Sequence, residues 1–170
     1  GEPLTPAAFV NAHAPRIAQL LPYCQDFQVL NEPNYPGEPG FGPTADDARR
    51  FNAWFVETHA RLKALFPGAR FGFPGLSPAL EPNPTRTDLD WLAYCREAVA
   101  AAAWLGCHCY FWDEGAMVDE RFGHHFIQYR RMFPTKNIHV LEFNCDPNFN
   151  PLWQMADLYA RFYPAAARFP

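Results

Sequence analysis

The sequence lacks any run of apolar residues long enough to cross a bilayer, and its most apolar stretch, residues 98–105, is far too short. It has no cluster of basic residues, and its formal net charge is −4 at pH 7. No signal peptide is recognisable, although the first residue is Gly rather than Met. We therefore expect no membrane partner and no nucleic-acid partner.

The sequence also lacks a recognisable disulfide framework, because it has five cysteines at spacings that match none. Cys107-His108-Cys109, with Cys145 further along the chain, is the one arrangement that resembles a metal site. Thiolate ligands must converge on the ion, whereas strand alternation places His108 on the opposite face from both neighbouring cysteines. We favour buried free thiols, and an α/β metal enzyme remains an alternative interpretation.

What is present is a strongly patterned, apolar chain. Hydrophobic residues make up 49% of its 170 residues and aromatic residues 16%, which is enough for one domain with a real core. Hydrophobic periodicity and turn signals predict strands at residues 27–31, 69–73, 107–112 and 138–143. Helices are predicted at residues 4–21 (interrupted at Pro15), 44–66, 87–105, 122–133 and from the cap at Asn150-Pro151 onward.

Alternating strands and helices with short connections predict an α/β fold with a parallel sheet and outer helices. Four strands are about half of an eight-stranded (β/α)8 TIM barrel, which takes about 250 residues. We therefore predict that residues 1–170 form a single partial TIM barrel, an excerpt of a longer chain without the early strands and the last strand. A free half-barrel would expose two unpaired sheet edges, which self-association would cover.

Two glutamates end predicted strands. Glu32 lies in Asn31-Glu32-Pro33-Asn34, and Glu142 lies in Leu141-Glu142-Phe143-Asn144. Chemistry in a barrel of this kind sits at the carboxyl ends of the strands. A carboxyl pair there matches the needs of a glycosidase, in which one group donates a proton and the other acts as nucleophile or base.

The strand end at Glu32 raises a problem of alternation. Pro33 directs the chain out of the sheet and restricts the backbone beside the carboxylate. Asn31 and Glu32 are adjacent, so an ideal strand would point their side chains in opposite directions. We expect both to face a cleft only if the strand end is bulged or twisted.

The predicted strand at residues 107–112 carries the third element of the site. His108, Tyr110 and Trp112 share one face under strict alternation. His108 and Tyr110 suit hydrogen bonding to a carboxylate or to sugar hydroxyls, and Trp112 suits stacking on a sugar ring. A core strand with satisfied His and Tyr side chains is the alternative. Further polar loop residues, which we expect to be mostly solvated, are Asn34, Tyr35, Ser77, Asp113, Glu114, Asn144 and Asp146.

On Asn31-Glu32-Pro33, His108-x-Tyr110 and Glu142, the chain resembles the (β/α)8 glycoside hydrolases of clan GH-A, which include cellulase-like and mannanase-like enzymes. The resemblance runs from strand four to helix seven of that barrel. It implies that Glu32 is the acid/base and that Glu142 is the nucleophile. It further implies that Asn31 binds the sugar 2-hydroxyl and that Tyr110 hydrogen-bonds Glu142.

The resemblance implies a retaining hydrolase that cleaves O-glycosidic bonds of a β-linked poly- or oligosaccharide. Such an enzyme needs no metal and no organic cofactor, its partner is a carbohydrate substrate, and a polysaccharide substrate favours an extracellular location over a cytoplasmic one. The strand-two Arg and strand-eight aromatic residue of that superfamily have no counterpart here, so we expect little activity from the isolated chain. A non-catalytic carbohydrate-binding protein on the same scaffold is the alternative.

Overall fold

The computed structural model describes residues 3–36, 40–78, 88–145 and 152–168, without the side chains of Cys145, Leu152 and Trp153. The elements in chain order are α1 (Pro6–Leu20), β1 (Asp26–Gln28), α2 (Ala45–Leu65), β2 (Arg70–Gly72), α3 (Asp88–Ala93), α4 (Arg96–Ala101), β3 (Leu105–Phe111), α5 (Glu114–Val118), α6 (Phe126–Met132), β4 (Ile138–Cys145) and α7 (Leu152–Ala166). They form two compact units, Gly1–Gly106 and Cys107–Pro170. None of the described helices is both long enough and apolar enough to span a membrane.

Parallel strands form the sheet of the first unit. β1 pairs with β2 in parallel, with Phe27 opposite Phe71 and Gln28 opposite Gly72. A further parallel bridge joins Phe73 to Leu105. Two parallel neighbours cannot be joined by a tight turn, so the chain crosses over through a helix, which here is α2.

Helix α2 forms because its start is capped and one of its faces is apolar. Thr44 and Asp47 make a reciprocal capping box at its N-terminus. Phe51 and Phe55, one turn apart, are fully buried, and each ring centroid lies 5.5 Å from that of Phe73. The buried aromatic face of α2 thus covers the strands.

Several element boundaries differ from the sequence prediction. The helix predicted at residues 87–105 is two helices, α3 and α4, separated at Tyr94 and Cys95. The break follows from local hydrogen bonding, since Tyr94 N–H donates to Trp91 and Cys95 N–H to Leu92, each three residues back. α1 continues through Pro15 and is not interrupted there.

In the second unit, α5 occupies part of a predicted loop, and α6 begins at Phe126 rather than Phe122. β3 and β4 are hydrogen-bonded neighbours. The predicted helix start at residue 87 and the predicted cap at Asn150-Pro151 lie outside the described residues. The single-domain organisation of residues 1–170 stays a prediction.

Stacked aromatic rings hold α7 against the strands of the second unit. Phe162 of α7 lies nearly parallel to Phe143 of β4, with ring centroids 4.8 Å apart. It also stacks on Phe111 of β3 at 5.5 Å. Phe162 is almost fully buried, so these contacts belong to the core of this unit.

Gly72 of β2 is expected to tolerate no side chain. A Cβ there would lie 2.2–2.3 Å from ring carbons of Trp104, which is itself buried and hydrogen-bonded to Asp26. We expect Gly72→Ala to lower the free energy of unfolding by roughly 1–3 kcal/mol through overpacking. Gly68→Ala is the matched control, because no atom lies within 4 Å of its Cβ position. Equal denaturant midpoints for the two variants would contradict this packing.

His124 is expected to make the second unit sensitive to acid. Burial, beside the rings of Phe126 and Phe162, lowers the pKa of His124 below its usual 6.5, and nearby Glu120 opposes the shift only in part. A lowered folded-state pKa means that stability is fully present above pH 6.5 and is lost as the pH falls through the folded-state value.

The measurement is the free energy of unfolding between pH 7.5 and 5. His124→Gln should flatten the decline, whereas His13→Gln, at an exposed histidine of α1, serves as the control. A decline that is the same in wild type and His124→Gln would show that other groups cause it.

Candidate active site

β3 separates polar and thiol side chains onto its two faces, as alternation predicts. The rings of His108 and Tyr110 lie on one face with centroids 5.9 Å apart. The Sγ atoms of Cys107 and Cys109 lie 3.8 Å apart on the other face. This strand therefore presents two hydrogen-bonding side chains together on one side.

The side chains of His108 and Tyr110 both approach the carboxylate of Glu142 on β4. The Tyr110 hydroxyl donates to Glu142 Oε2 at 2.5 Å, which is the length of a strong hydrogen bond to a charged group. His108 Nε2 lies 3.6 Å from Glu142 Oε1. His108 is fully buried, whereas the side chain of Glu142 is 46% exposed. The carboxylate is thus held in orientation on its inner side while remaining open to solvent.

Trp112 follows the last residue of β3 and was predicted within the strand, so its placement differs by one residue. Its ring meets Phe122 edge-on at 4.5 Å, and the side chain is 39% exposed. Asp113, directly after it, caps α5 by accepting the N–H of Ala116. An indole fixed on one side and exposed on the other is suited to stacking on a ligand ring.

Cys107 and Cys109 are free thiols in the core of the second unit, as we favoured from the sequence. Cys107 and Cys109 are fully buried. The hydrogen bond from Cys107 and the neighbouring His125 lower the pKa of the Cys109 thiol, although burial acts in the opposite direction. His108 contacts Glu142 rather than these two sulfurs, so Cys107-His108-Cys109 does not converge as the metal-enzyme interpretation requires.

In the first unit, the chain leaves regular strand geometry before it reaches Glu32. β1 ends at Gln28, three residues earlier than predicted. Leu30 and Glu32 have left-handed backbones, with φ of 68° and 37°. Non-glycine residues rarely adopt this region, and doing so costs about 1–3 kcal/mol each. Strict alternation therefore does not apply at Asn31 and Glu32. Such a departure from strand geometry is what we expected to be necessary for both side chains to face the same cleft.

Asn31 and Glu32 are both half-buried. Asn31 Oδ1 accepts a hydrogen bond from the Gln28 side chain at 3.0 Å. The backbone N–H of Glu32 donates to Gly75 O at 3.1 Å, and Glu32 O accepts from Tyr35 N–H at 2.8 Å. The Glu32 backbone is thus attached to the loop that follows β2.

Asn34 is an exception among the loop residues that we expected to be mostly solvated, because it is only 3% exposed. Its side-chain amide donates to Ser77 O at 2.8 Å and accepts from Ser77 N–H at 2.9 Å. The only sequence signal for such a role was the position of an Asn in a turn after Pro33. Of the other loop candidates, Tyr35 is exposed, and Asp146 lies outside the described residues.

The solved structures that resemble the chain include three GH128 enzymes. A subgroup IV endo-β-1,3-glucanase from Lentinula edodes matches with a TM-score of 0.62 and 20% identity over 92% of this chain and 53% of that one. A subgroup III curdlan-specific exo-β-1,3-glucanase from Blastomyces gilchristii gives 0.65 and 16% over 91% and 60%. A subgroup II endo-β-1,3-glucanase from Sorangium cellulosum gives 0.57 and 25% over 93% and 59%.

The chain has the fold of a partial (β/α)8 barrel. It spans 53–60% of the length of these glycoside hydrolases, in agreement with the partial barrel predicted from the strand count. The resemblance to (β/α)8 glycoside hydrolases is thereby confirmed in the structural neighbours. No family model matches the sequence, and no curated protein matches it.

The hydroxyl of Tyr110 is expected to contribute little to stability. Its acceptor Glu142 is nearly half exposed, so water can replace the hydrogen bond. Tyr110→Phe should therefore change the free energy of unfolding by no more than about 1 kcal/mol. Chemical denaturation of the two proteins measures this, and a loss well above that value would assign the hydroxyl a structural role.

Proposed function

We propose that the protein is a retaining glycoside hydrolase that cleaves β-1,3-glucans, with Glu142 as nucleophile and Glu32 as acid/base. The observation that carries the proposal is the hydrogen bond from Tyr110 to Glu142, beside a buried His108, on neighbouring strands of a partial (β/α)8 barrel. The β-1,3-glucan substrate is proposed from the glucanases that share the fold.

In the first step, a Glu142 carboxylate oxygen attacks the anomeric carbon and forms a covalent glycosyl ester. The bond to the leaving oxygen breaks, and that oxygen takes the proton of Glu32. The contact with Tyr110 supports this role because it fixes the rotation of the Glu142 side chain. The 46% exposure of Glu142 leaves the carboxylate accessible to a sugar.

In the second step, Glu32 removes a proton from water, which attacks the anomeric carbon and releases Glu142. The two displacements restore the original β configuration. Asn31 is proposed to hold the sugar 2-hydroxyl, and Trp112 to stack on a sugar ring, which its 39% exposure permits. No metal or organic cofactor enters either step, and we propose an extracellular location because the substrate is a polysaccharide.

Substitution of the two carboxyl groups tests the assignment. We expect Glu32→Gln and Glu142→Gln each to reduce sugar release from curdlan by at least about 100-fold, because each change removes a group that reacts. Glu57→Gln, at an exposed carboxylate of α2 that pairs with Arg61, should leave the rate unchanged. The assay uses the full-length protein, with circular dichroism to confirm that every variant folds.

Azide distinguishes the two roles. With an aryl β-glucoside, Glu32→Ala should yield the β-glycosyl azide, because azide attacks the glycosyl ester from the face that water uses. Glu142→Ala should yield the α-glycosyl azide, because azide then replaces the nucleophile. Wild-type protein that binds β-1,3-glucan without releasing sugar would contradict the proposal and favour a non-catalytic carbohydrate-binding protein.

A further inference from the structure

Asn34 joins two loops of the first unit through its side chain. The amide donates to Ser77 O at 2.8 Å and accepts from Ser77 N–H at 2.9 Å, so it pairs with both backbone groups of one residue. The side chain is 3% exposed, which excludes competition from bulk water. The loop after β1 is therefore fixed to the loop after β2 at a single buried point.

The backbone between β1 and this point is unfavourable by itself. Glu32 has a φ of 37°, which an L-residue keeps only when its surroundings hold it there. Three backbone hydrogen bonds reinforce the segment: Glu32 N–H to Gly75 O at 3.1 Å, Tyr35 N–H to Glu32 O at 2.8 Å and Gly42 N–H to Pro33 O at 3.0 Å. Asn34 adds to these the only side-chain bonds between the two loops among the described residues of this segment.

We propose that Asn34 is a positioning residue, which holds the Glu32 carboxyl group where it exchanges a proton with the glycosidic oxygen. This inference rests on the proposed function of Glu32. Proton transfer requires the donor within hydrogen-bond reach of the oxygen, and a misplacement of about 1 Å can reduce a rate about 100-fold. Asn34 acts through Glu32 and need not touch the substrate.

The chemistry of the pair explains why Asn is the residue at this position. A side-chain amide supplies a donor for Ser77 O and an acceptor for Ser77 N–H, whereas Ala supplies neither. The carboxylate of Asn34→Asp can still accept from Ser77 N–H, but it can donate to Ser77 O only when it is protonated. The two variants therefore remove the pairing to different degrees.

Asn52 provides a matched control for a purely structural role. Its Oδ1 accepts the N–H of Ala98 at 2.9 Å, and its amide donates to Glu97 at 3.1 Å. Like Asn34, it accepts a backbone N–H and donates through its amide, although its acceptor is a carboxylate, and it does so between helices α2 and α4. Asn52→Ala therefore measures how the loss of a hydrogen-bonded amide affects stability and activity when the Glu32 segment is unchanged.

The experiment compares full-length wild type, Asn34→Ala, Asn34→Asp and Asn52→Ala on two substrates. One is a β-1,3-glucan, whose leaving oxygen needs a proton. The other is a dinitrophenyl β-glucoside with azide present, in which the leaving phenolate needs no proton and azide needs no base. All assays are run below the unfolding temperature of each variant.

We expect Asn34→Ala to lower kcat on the glucan about 10- to 100-fold and to retain near wild-type turnover of the dinitrophenyl glucoside with azide. Asn34→Asp should recover glucan activity, relative to wild type, as the pH is lowered and its new carboxyl group becomes a donor. Asn52→Ala should match wild type on both substrates. If Asn34→Ala does not fold, Asn34→Asp carries the test, because it preserves the shape and one of the two bonds.

The positioning role would be overturned if Asn34→Ala lost activity equally on both substrates. It would also be overturned if Asn34→Ala, like Asn52→Ala, lost activity on neither, and Asn34 would then be a structural amide. Asn34→Asp activity that stays a constant fraction of wild type at every pH would also overturn it. A wild type that is inactive on both substrates would instead contradict the proposed function, and the positioning role with it. The two failures are therefore distinguishable.

Discussion

The burial of the aromatic face of α2 against the end of β2, at Phe73 just beyond the strand, is the interaction on which the first unit depends. Phe51 and Phe55 are fully buried, and both contact Phe73. Because β1 and β2 are parallel, α2 must return the chain along the sheet, and its packing keeps the two strands in register. Both strands then end at the same edge, which is why the backbone of Glu32 meets Gly75. The packing of an apolar core thus determines the position of Glu32, the proposed acid/base.

In the second unit, the cost of burying polar side chains is offset by their contacts with the charged Glu142. β3 is buried along nearly its whole length, so a polar side chain on it is costly unless it finds a partner. His108 and Tyr110 both approach Glu142, and the opposite face of the strand holds the two thiols. Apolar residues in a core strand would avoid the free-energy cost of burying polar side chains. The retention of His and Tyr beside a half-exposed carboxylate is what makes this a candidate site.

The sequence was sufficient for features that depend on periodicity. Four strands with helical segments between them follow from hydrophobic periodicity, and the structure confirms them, although it divides one predicted helix and adds α5. The division of β3 into a His108–Tyr110 face and a Cys107–Cys109 face follows from alternation, and the structure confirms it as well. The structure also contains the hydrogen bond from Tyr110 to Glu142 that the resemblance implied, while the catalytic roles of Glu32 and Glu142 stay predictions.

Features that depend on distant partners could not be read from the sequence. Asn34 is buried because it meets Ser77, 43 residues away, and no local pattern signals that pairing. Neither Leu30 nor Glu32 is a residue type that favours a left-handed backbone, so their conformations are imposed by the surrounding loops. The break between α3 and α4 likewise places the buried Cys95 beneath α2, with its thiol donating to Ala48 O.

The most direct test of the central claim is to trap the covalent intermediate. A 2-deoxy-2-fluoro-β-glucoside with a good leaving group slows both displacements, and it slows hydrolysis of the glycosyl ester most, so the ester accumulates. Mass spectrometry of the digested full-length protein should then find one fluoroglucosyl group on the peptide that contains Glu142. A label on another residue, or hydrolysis of this substrate without any labelled protein, would contradict a retaining mechanism with Glu142 as its nucleophile.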